Sequence, residues 1–321
     1  MTRRNIWLAL ACLIAFASEA AAQSDYPSRP VKIIVNSAPG GGTDILARVL
    51  TQKLSKDGQN FFVENRGGGG GIVGIEAVKN SPADGYTLLM SPSTIAVLPA
   101  VTKEARYDPS KDFSAITQVA GISNVLVVHP DVPAKTLQEL IALAKAKPGT
   151  LNYASAGAGS SPHMSMELLK HMTGIDLQHV PFRGTGPAMT EVLGGRIAAL
   201  FSNLLTAKPL IEAGKLRALA ISGPKRVAAL PDVPTVAEAG VPGYSALQWY
   251  GVLAPTGTPQ PVTVRLQAAI ADALRTQDVR ERLAQDGAEP IGGGSEDFAV
   301  LIKSDLEKWS RIAKAANIQA E

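Results

Sequence analysis

The chain has 321 residues, 45% hydrophobic, 18% charged and 5% aromatic, with a formal net charge of +3. At roughly 100–200 residues per domain it is one large or two moderate domains, with enough core to fold without metal or disulfide staples. This excludes extended disorder, collagen-like repeats and coiled coil. No run of five like charges occurs and aromatics are scarce, so nucleic acid is not an expected partner.

The N-terminus carries the most specific local pattern. Arg3 and Arg4 form a positive n-region, Ile6–Ala17 is an apolar run of 12 residues, and Ala20-Ala21-Ala22 places small residues before a cut at Gln23. This is the pattern of a secretory signal peptide, and it falls short of the ~20 apolar residues of a membrane span. An uncleaved anchor is disfavoured by the A-x-A ending. A lipidated Cys12 is disfavoured because only about six apolar residues precede it. Cys12 is the single cysteine, so the mature chain is expected to have no disulfide, thiolate nucleophile or Cys-ligated metal. The expected product is a soluble exported protein of the periplasm, cut between Ala22 and Gln23.

Short apolar runs then alternate with amphipathic stretches. Strands are predicted at Val31–Val35, Phe61–Val63, Tyr86–Met90, Val125–Val128, Leu151–Ala154, Leu177–Val180, Ile197–Phe201 and Leu216–Ile221. Helices are predicted at Asp44–Leu54, Ile72–Lys79, Leu137–Lys145, Met164–Met172, Ala188–Leu193 and Leu204–Ala213, with longer ones at Val262–Leu274 and Phe298–Ala316. The alternation argues an α/β fold with mostly parallel sheets. Phe113–Val128 and Gln248–Pro255 read as extended crossovers. They predict one lobe of residues 23–122 plus 248–321 and a second of 123–247, hinged around a cleft.

In open α/β sheets ligands bind beyond the carboxyl ends of the strands, so the strand-to-helix turns hold the candidate site. In the turn Ser37–Asp44, the candidates are Pro39, Gly40, Gly41, Gly42, Thr43 and Asp44, with Thr43 or Asp44 as helix N-cap. Free amides at a helix start favour an anion such as a carboxylate; the bland reading is a tight turn with a cap. Residues Gly67–Gly71 form a five-glycine run, and Gly69-x-Gly71-x-x-Gly74 matches the dinucleotide fingerprint. A glycine run satisfies that pattern by itself and no acidic residue is well placed after it, so a backbone-binding loop is the better reading.

Ser91, Ser93 and Thr94 end the third strand, as hydroxyl donors or as an ST-turn. Ser155, Gly157, Gly159, Ser160, Ser161 and His163 form the fourth turn, with Ser161 as N-cap and Pro162 in the first helical turn. The turn lacks the G-x-S-x-G spacing of a nucleophile elbow. His163 and Glu167 are four apart, a spacing more often met in surface contacts than in metal ligation, and His171 and His179 suggest no closer cluster. Phe182, Arg183, Gly184 and Thr185 form the fifth turn; Arg183 can grip a carboxylate through two N–H groups, or simply bond nearby backbone.

No Walker A, catalytic triad or acidic pair stands out. Small donors and glycine turns suit reversible capture of a small anion. No catalytic residue, cofactor or metal is expected, and the chain is read as a monomeric binding protein. An exported hydrolase using Ser160 or Ser161 with His163 is the alternative from another class.

The stretches RPVKIIV, APGGGTD, ENRGGGGGIVG, ADGYTLL, LNYASAGAGSSPHM, HVPFRGTGPAMTEVLGGR, AGKLRALAIS, LPDVPTVAEAG and WYGVLAPTGTP occur in that order. Together they resemble the Bug family, the TctC-like periplasmic solute-binding receptors of tripartite tricarboxylate transporters. The resemblance implies a type II periplasmic binding protein fold with two α/β lobes joined by two crossover strands. It implies a small carboxylate held between Gly40–Asp44 and Ser91–Thr94 on one side and Ser155–Ser161 and Phe182–Gly186 on the other, with ordered water assisting. It also implies delivery to a membrane permease. The same clamp can serve as a sensor for a signalling partner. Where many members carry an acidic residue after the strand IAALF, this chain has Ser202-Asn203. That departure favours a ligand without an amine and adds Asn203 to the candidate ligand-binding residues.

Overall fold

The computed structural model describes residues 26–318 apart from 38, 41, 56–59, 183 and 286. The expected signal segment lies outside the described residues.

The strands are β1 (Val31–Val35), β2 (Phe61–Asn65), β3 (Thr87–Pro92), β4 (Phe113–Val128), β5 (Asn152–Ser155), β6 (Gln178–Pro181), β7 (Ala199–Asn203), β8 (Arg217–Ile221), β9 (Leu247–Pro255) and β10 (Glu289–Pro290). The helices are α1 (Gly42–Leu54), α2 (Ile72–Lys79), α3 (Thr94–Val101), α4 (Leu137–Ala146), α5 (Ser161–Thr173), α6 (Thr185–Leu193), α7 (Leu204–Glu212), α8 (Gln260–Arg275), α9 (Gln277–Gln285) and α10 (Ser295–Ala315).

The strands join in the order β2-β1-β3-β9-β4-β7-β5-β6, with β8 and β10 also paired to β4. Strand β1 is parallel to β2 and β3, and β5 is parallel to β6 and β7. These are βαβ crossovers, and the buried run VKIIV is what such a strand requires. The expectation of mostly parallel sheets is corrected at the centre. Both β4 and β9 run antiparallel to their neighbours, because each arrives by a long connection and not by a βαβ turn.

The 16-residue β4 is shared between the two halves of the sheet. Its first part, to Ser123, pairs with β9; from Asn124 onward it pairs with β7 and β8. At the changeover Gly121 lies under Leu247, where a Cβ would sit 3.1 Å from a Leu247 methyl carbon. The sequence pattern marks Val125–Val128 as strand and the whole of Phe113–Val128 as an extended crossover, the span β4 takes. Its polar interruptions Thr117 and Asn124 are paired in place: Thr117 Oγ1 donates to Gly293 O at 2.7 Å and Asn124 Nδ2 to Ser161 Oγ at 2.8 Å.

Helix α1 buries Thr43, Leu46, Ala47, Leu50 and Leu54, the three-four spacing of one helix face, against β1 and β3. Helix α10 does more than cover one core. Its first turns place Phe298 and Ile302 beside Ile34, Leu89 and Trp249. Its last turns place Trp309 and Ile312 beside Leu126, Tyr153 and Phe201. The ring of Phe298 lies on Gly251, where a Cβ would come within 2.0 Å of it. Midway, Trp249 Nε1 donates to the buried Asp305 carboxylate at 2.7 Å, which Lys308 also contacts. Helix α3, absent from the sequence reading, contributes Val97 and Val101 to the Trp309 core and Ile95 and Leu98 to the Trp249 core. Its internal Pro99 argues against helix, but the Ile95 carbonyl that loses the amide of residue 99 accepts instead from Tyr107 Oη at 3.1 Å. No helix among the described residues is long and apolar enough to cross a membrane.

Candidate functional site

The loop after β1 is held open by Asp44. That residue is neither ahead of the helix nor its N-cap; it is the third residue of α1, and its Oδ2 reaches back to accept Gly40 N–H at 2.9 Å. Arg48 Nε donates to the same oxygen at 3.0 Å, and Asn65 Nδ2 donates to Oδ1 at 2.9 Å. Burial pushes the carboxyl upward, but these three bonds outweigh it and hold Asp44 below the usual carboxylate range. Asp44 is thus a brace for the loop. Thr43 is buried, Pro39 and Gly40 are exposed, and Gly42 faces Tyr250 Oη, to which Gln248 Nε2 donates at 3.1 Å. Among the described residues, Asn36 Oδ1 and Ser37 Oγ at the base of this loop are buried without a hydrogen-bond partner. Gly41 lies outside the described residues.

At the end of β3, Ser91 is fully buried and its hydroxyl bonds Pro92 O. Ser93 and Thr94 come against Gly159, Ser161 and Met164 around a void of about 10 Å³, room for a single water. These two loops, far apart in sequence, therefore meet.

The loop between β5 and α5 turns on Gly157 (φ 121°) and Gly159 (φ 73°), backbone that other residues adopt only with strain. The helix N-cap position falls at Ser160 and not Ser161, as the sequence reading had it, while Pro162 does sit in the first turn. Ser160 Oγ donates to Gly157 O at 2.7 Å, and Ser161 Oγ is taken by Asn124. Phe182 N–H donates to Ser155 O at 3.1 Å, tying the β6 loop to the same turn, and Thr185 opens α6. Gly184 (φ 106°) has open space around it; Arg183 lies outside the described residues. Asn203 Oδ1 caps α7 by accepting Thr206 N–H at 2.9 Å, and its backbone is in register with Asn124.

A cavity of about 730 Å³ opens between Gly69, Gly70 and Leu98 on one wall and Gly157, His163 and Phe182 on the other. Its volume suits a small-molecule ligand. Gly69 and Gly70 of the five-glycine run thus line the cavity. Of the described candidates only Gly157, His163 and Phe182 line it; Pro39, Gly40, Gly42, Thr43, Asp44, Ser91, Ser93, Thr94, Ser155, Gly159, Ser160, Ser161, Gly184, Thr185 and Asn203 do not. Glu167 and His179 also line this cavity.

Sequence spacing suggests no cluster for His179, and the fold supplies one. His163 on α5 and His179 on β6 stack at 3.8 Å between centroids and 9° between planes, with Tyr153 stacked on His179 at 4.9 Å. Tyr153 Oη and Lys170 Nζ both donate to Glu167 Oε1. Burial drives both imidazoles below their ordinary range, His163 to about 3, with Lys170 acting in the same direction. The sequence reading also missed Asn124, Gln248 and Tyr250. Their signal was faint: polar residues inside apolar strands, at the changeover of the sheet.

The family model described as "Tripartite tricarboxylate transporter family receptor" matches residues 46–318. Protein BugT of Bordetella pertussis is 37% identical over 292 residues, covering 90% of each chain. Among solved structures, R. palustris Rpa4515 with adipate is 36% identical at a TM-score of 0.76, over 92% of this chain and 99% of that one. MatC (Rpa3494) from Rhodopseudomonas palustris with bound malate is 33% identical at a TM-score of 0.72, over 89% and 99%. The mixed α/β architecture with its two crossover strands is the fold of these binding proteins. The chain belongs to the TctC family of tripartite tricarboxylate transporter receptors.

Proposed function

We propose that this protein captures a small carboxylate in the cleft and hands it to the membrane permease of a tripartite tricarboxylate transporter, working in the periplasm after removal of residues 1–22. In this reading one lobe is residues 23–122 plus 248–321 and the other 123–247. The lobes close as the ligand shifts the population toward the closed form. The observation that carries the reading is the cavity of about 730 Å³ with glycine-opened backbone on both walls. Relatives solved with adipate and malate support the carboxylate class.

In this reading the Gly40–Asp44 and Gly157–Ser161 turns flank the ligand; the Gly40, Gly157, Gly159 and Ser160 amides are engaged within the loops, and Asn36 and Ser37 carry unused polar capacity beside the first. Arg183 is the side chain in this reading that adds charge complementarity from the second lobe. The hydrolase reading, Ser160 or Ser161 with His163, loses support because Ser160 Oγ donates to Gly157 O, Ser161 Oγ accepts from Asn124 Nδ2 and His163 Nδ1 accepts from Gly159 N–H; Ser155, which meets His179 Nε2 at 2.6 Å, is no better placed. Ser155 is fully buried, and its hydroxyl is already bonded by Gly157 N–H and O.

The test is a melting-temperature screen of the exported protein against mono-, di- and tricarboxylates at neutral pH. A ligand present at 100 times its Kd stabilises by about 2.7 kcal/mol, a shift of several degrees. A clear shift with at least one carboxylate is expected. No shift across the panel overturns the proposal.

A further inference from the structure

The Ser155–Ser160 turn is held from beneath by two imidazoles. Gly159 N–H donates to His163 Nδ1 at 3.0 Å, and Ser155 Oγ meets His179 Nε2 at 2.6 Å. Ser155 Oγ in turn accepts Gly157 N–H at 3.1 Å, and Ser160 N–H donates to Gly157 O at 3.2 Å. Both ends of the turn therefore rest on the stacked pair. The geometry points to His163 and His179 as positioning residues that shape the ligand turn, His163 only while its Nδ1 is unprotonated, so that ligand capture is flat with pH through the neutral range and fails in acid. This rests on the carboxylate reading above, with the turn as one wall of its site.

Three features of the cluster carry the inference. First, His163 Nδ1 can accept from Gly159 only if it is unprotonated, which places the ring's proton on Nε2. Protonation converts that acceptor into a donor facing an N–H, and the contact breaks. Second, two imidazoles at 3.8 Å cannot both be cations, and His163 is only 4% exposed. Third, the charged groups around the pair are internally matched. On α5, Lys170 Nζ is bonded to Glu167 Oε1 at 2.7 Å; from β5, the Tyr153 hydroxyl donates to the same oxygen. Glu104 faces the shared cavity from the segment after α3. Lys170 and burial oppose a proton on either ring; Glu167 favours one on His179, an attraction that burial outweighs. The cluster is thus built to exclude charge from beneath an anion-binding turn without using a hydrophobic side chain, which would leave Gly159 N–H and Ser155 Oγ unpaired.

The test is NMR of the full protein. Imidazole nitrogens and the Gly157 and Gly159 amides are followed from about pH 7.5 to about pH 4.5. The expected result is a His163 ring in the Nε2–H form, with neither ring titrating in the ordinary imidazole range. Titration of both rings in that range with unmoved glycine amides overturns the inference, and this arm needs no variant. In His163→Phe, which keeps a flat ring but no acceptor, hydrogen exchange of the Gly159 amide should rise about tenfold. In His163→Asn, whose Oδ1 stands near the place of Nδ1, the slow exchange should return. An unchanged Gly159 amide in His163→Phe, or no rescue by His163→Asn, contradicts the role. Calorimetry with adipate and malate at two pH values compares wild type with His163→Asn. Protonation of the diacid is common to both, so a larger acid loss in wild type supports the inference and equal losses oppose it. If neither diacid binds, the ligand reading suffers while the NMR arms still decide the positioning role.

Discussion

At Gly74 the fold leaves no room for a side chain. A Cβ there would lie 2.6 Å from Arg66 O and 2.8 Å from Asn36 Cα, both backbone atoms that cannot move aside cheaply. Gly74→Ala should therefore destabilise by about 2–3 kcal/mol through overpacking, read as a lower denaturant midpoint; an unchanged midpoint would mean that α2 does not dock on the end of β1 as described. The glycine run was legible as a loop, but its reason was not: the residues it must clear come from the end of β1, about 35 positions earlier. Asp44 shows the same limit. Its place near the helix start was legible, whereas its bracing of Gly40 depends on Asn65 from the neighbouring strand. Asp44→Asn keeps the shape and loses the charge-assisted bond to Arg48, so a loss of about 1–2 kcal/mol is expected in chemical denaturation.

The histidine stack sets the acid side of the stability curve. A group whose folded value is depressed stabilises the native state above its unfolded value and loses that contribution as pH falls. The unfolded His163 takes up a proton near 6.5, while the folded one resists down to about 3. Between those limits the unfolded state binds more protons, so stability rises with pH, and acidification from pH 7 to pH 5 should cost about 2 kcal/mol. Depressed carboxyls such as Asp44 and Asp108 add a further loss below about pH 5, as the unfolded state takes up their protons. The pH slope of the melting temperature between 5 and 7 should flatten in His163→Asn; an equal slope in that variant would remove His163 as its source.

At the scale of elements, α10 ties the molecule together. Trp309 is 4% exposed in the core around Tyr153 and Phe201, while Phe298, three turns earlier, lies on Gly251 among Ile34 and Leu89. Trp309→Ala should cost about 3–5 kcal/mol. Because the loss falls where α10 meets the second half of the sheet, hydrogen exchange should rise in α5 and α10 before it rises in β1 and α1. Uniform acceleration across the chain would contradict this placement. The helix itself was legible from periodicity, as was Ile72–Lys79 to the residue. Helix α3 was not, because an apolar eight-residue run with a proline has no amphipathic pattern: it is buried on nearly every side.

At the scale of the whole molecule, hydropathy marked most strands, but a strand's direction is not written in its pattern. The parallel pairs followed from βαβ spacing, while β4 and β9 required knowing where the chain had been. The candidate site was legible in the same uneven way. Turns marked by glycine and serine were found, but of the named candidates only Gly157, His163 and Phe182 line the cavity, which Gly69 and Gly70 close from the other side. The histidine pair was missed because stacking joins α5 to β6 through space, where sequence spacing carries no signal.

Two tryptophans, Trp249 on β9 and Trp309 on α10, sit where the halves of the sheet are joined. The most direct test of carboxylate capture is calorimetric titration of the exported protein with a carboxylate panel, each injection paired with tryptophan emission. Saturable one-to-one binding of at least one carboxylate is expected, with a coincident emission change and weakened by added salt. Silence from every carboxylate, or saturable binding confined to uncharged solutes, would contradict it.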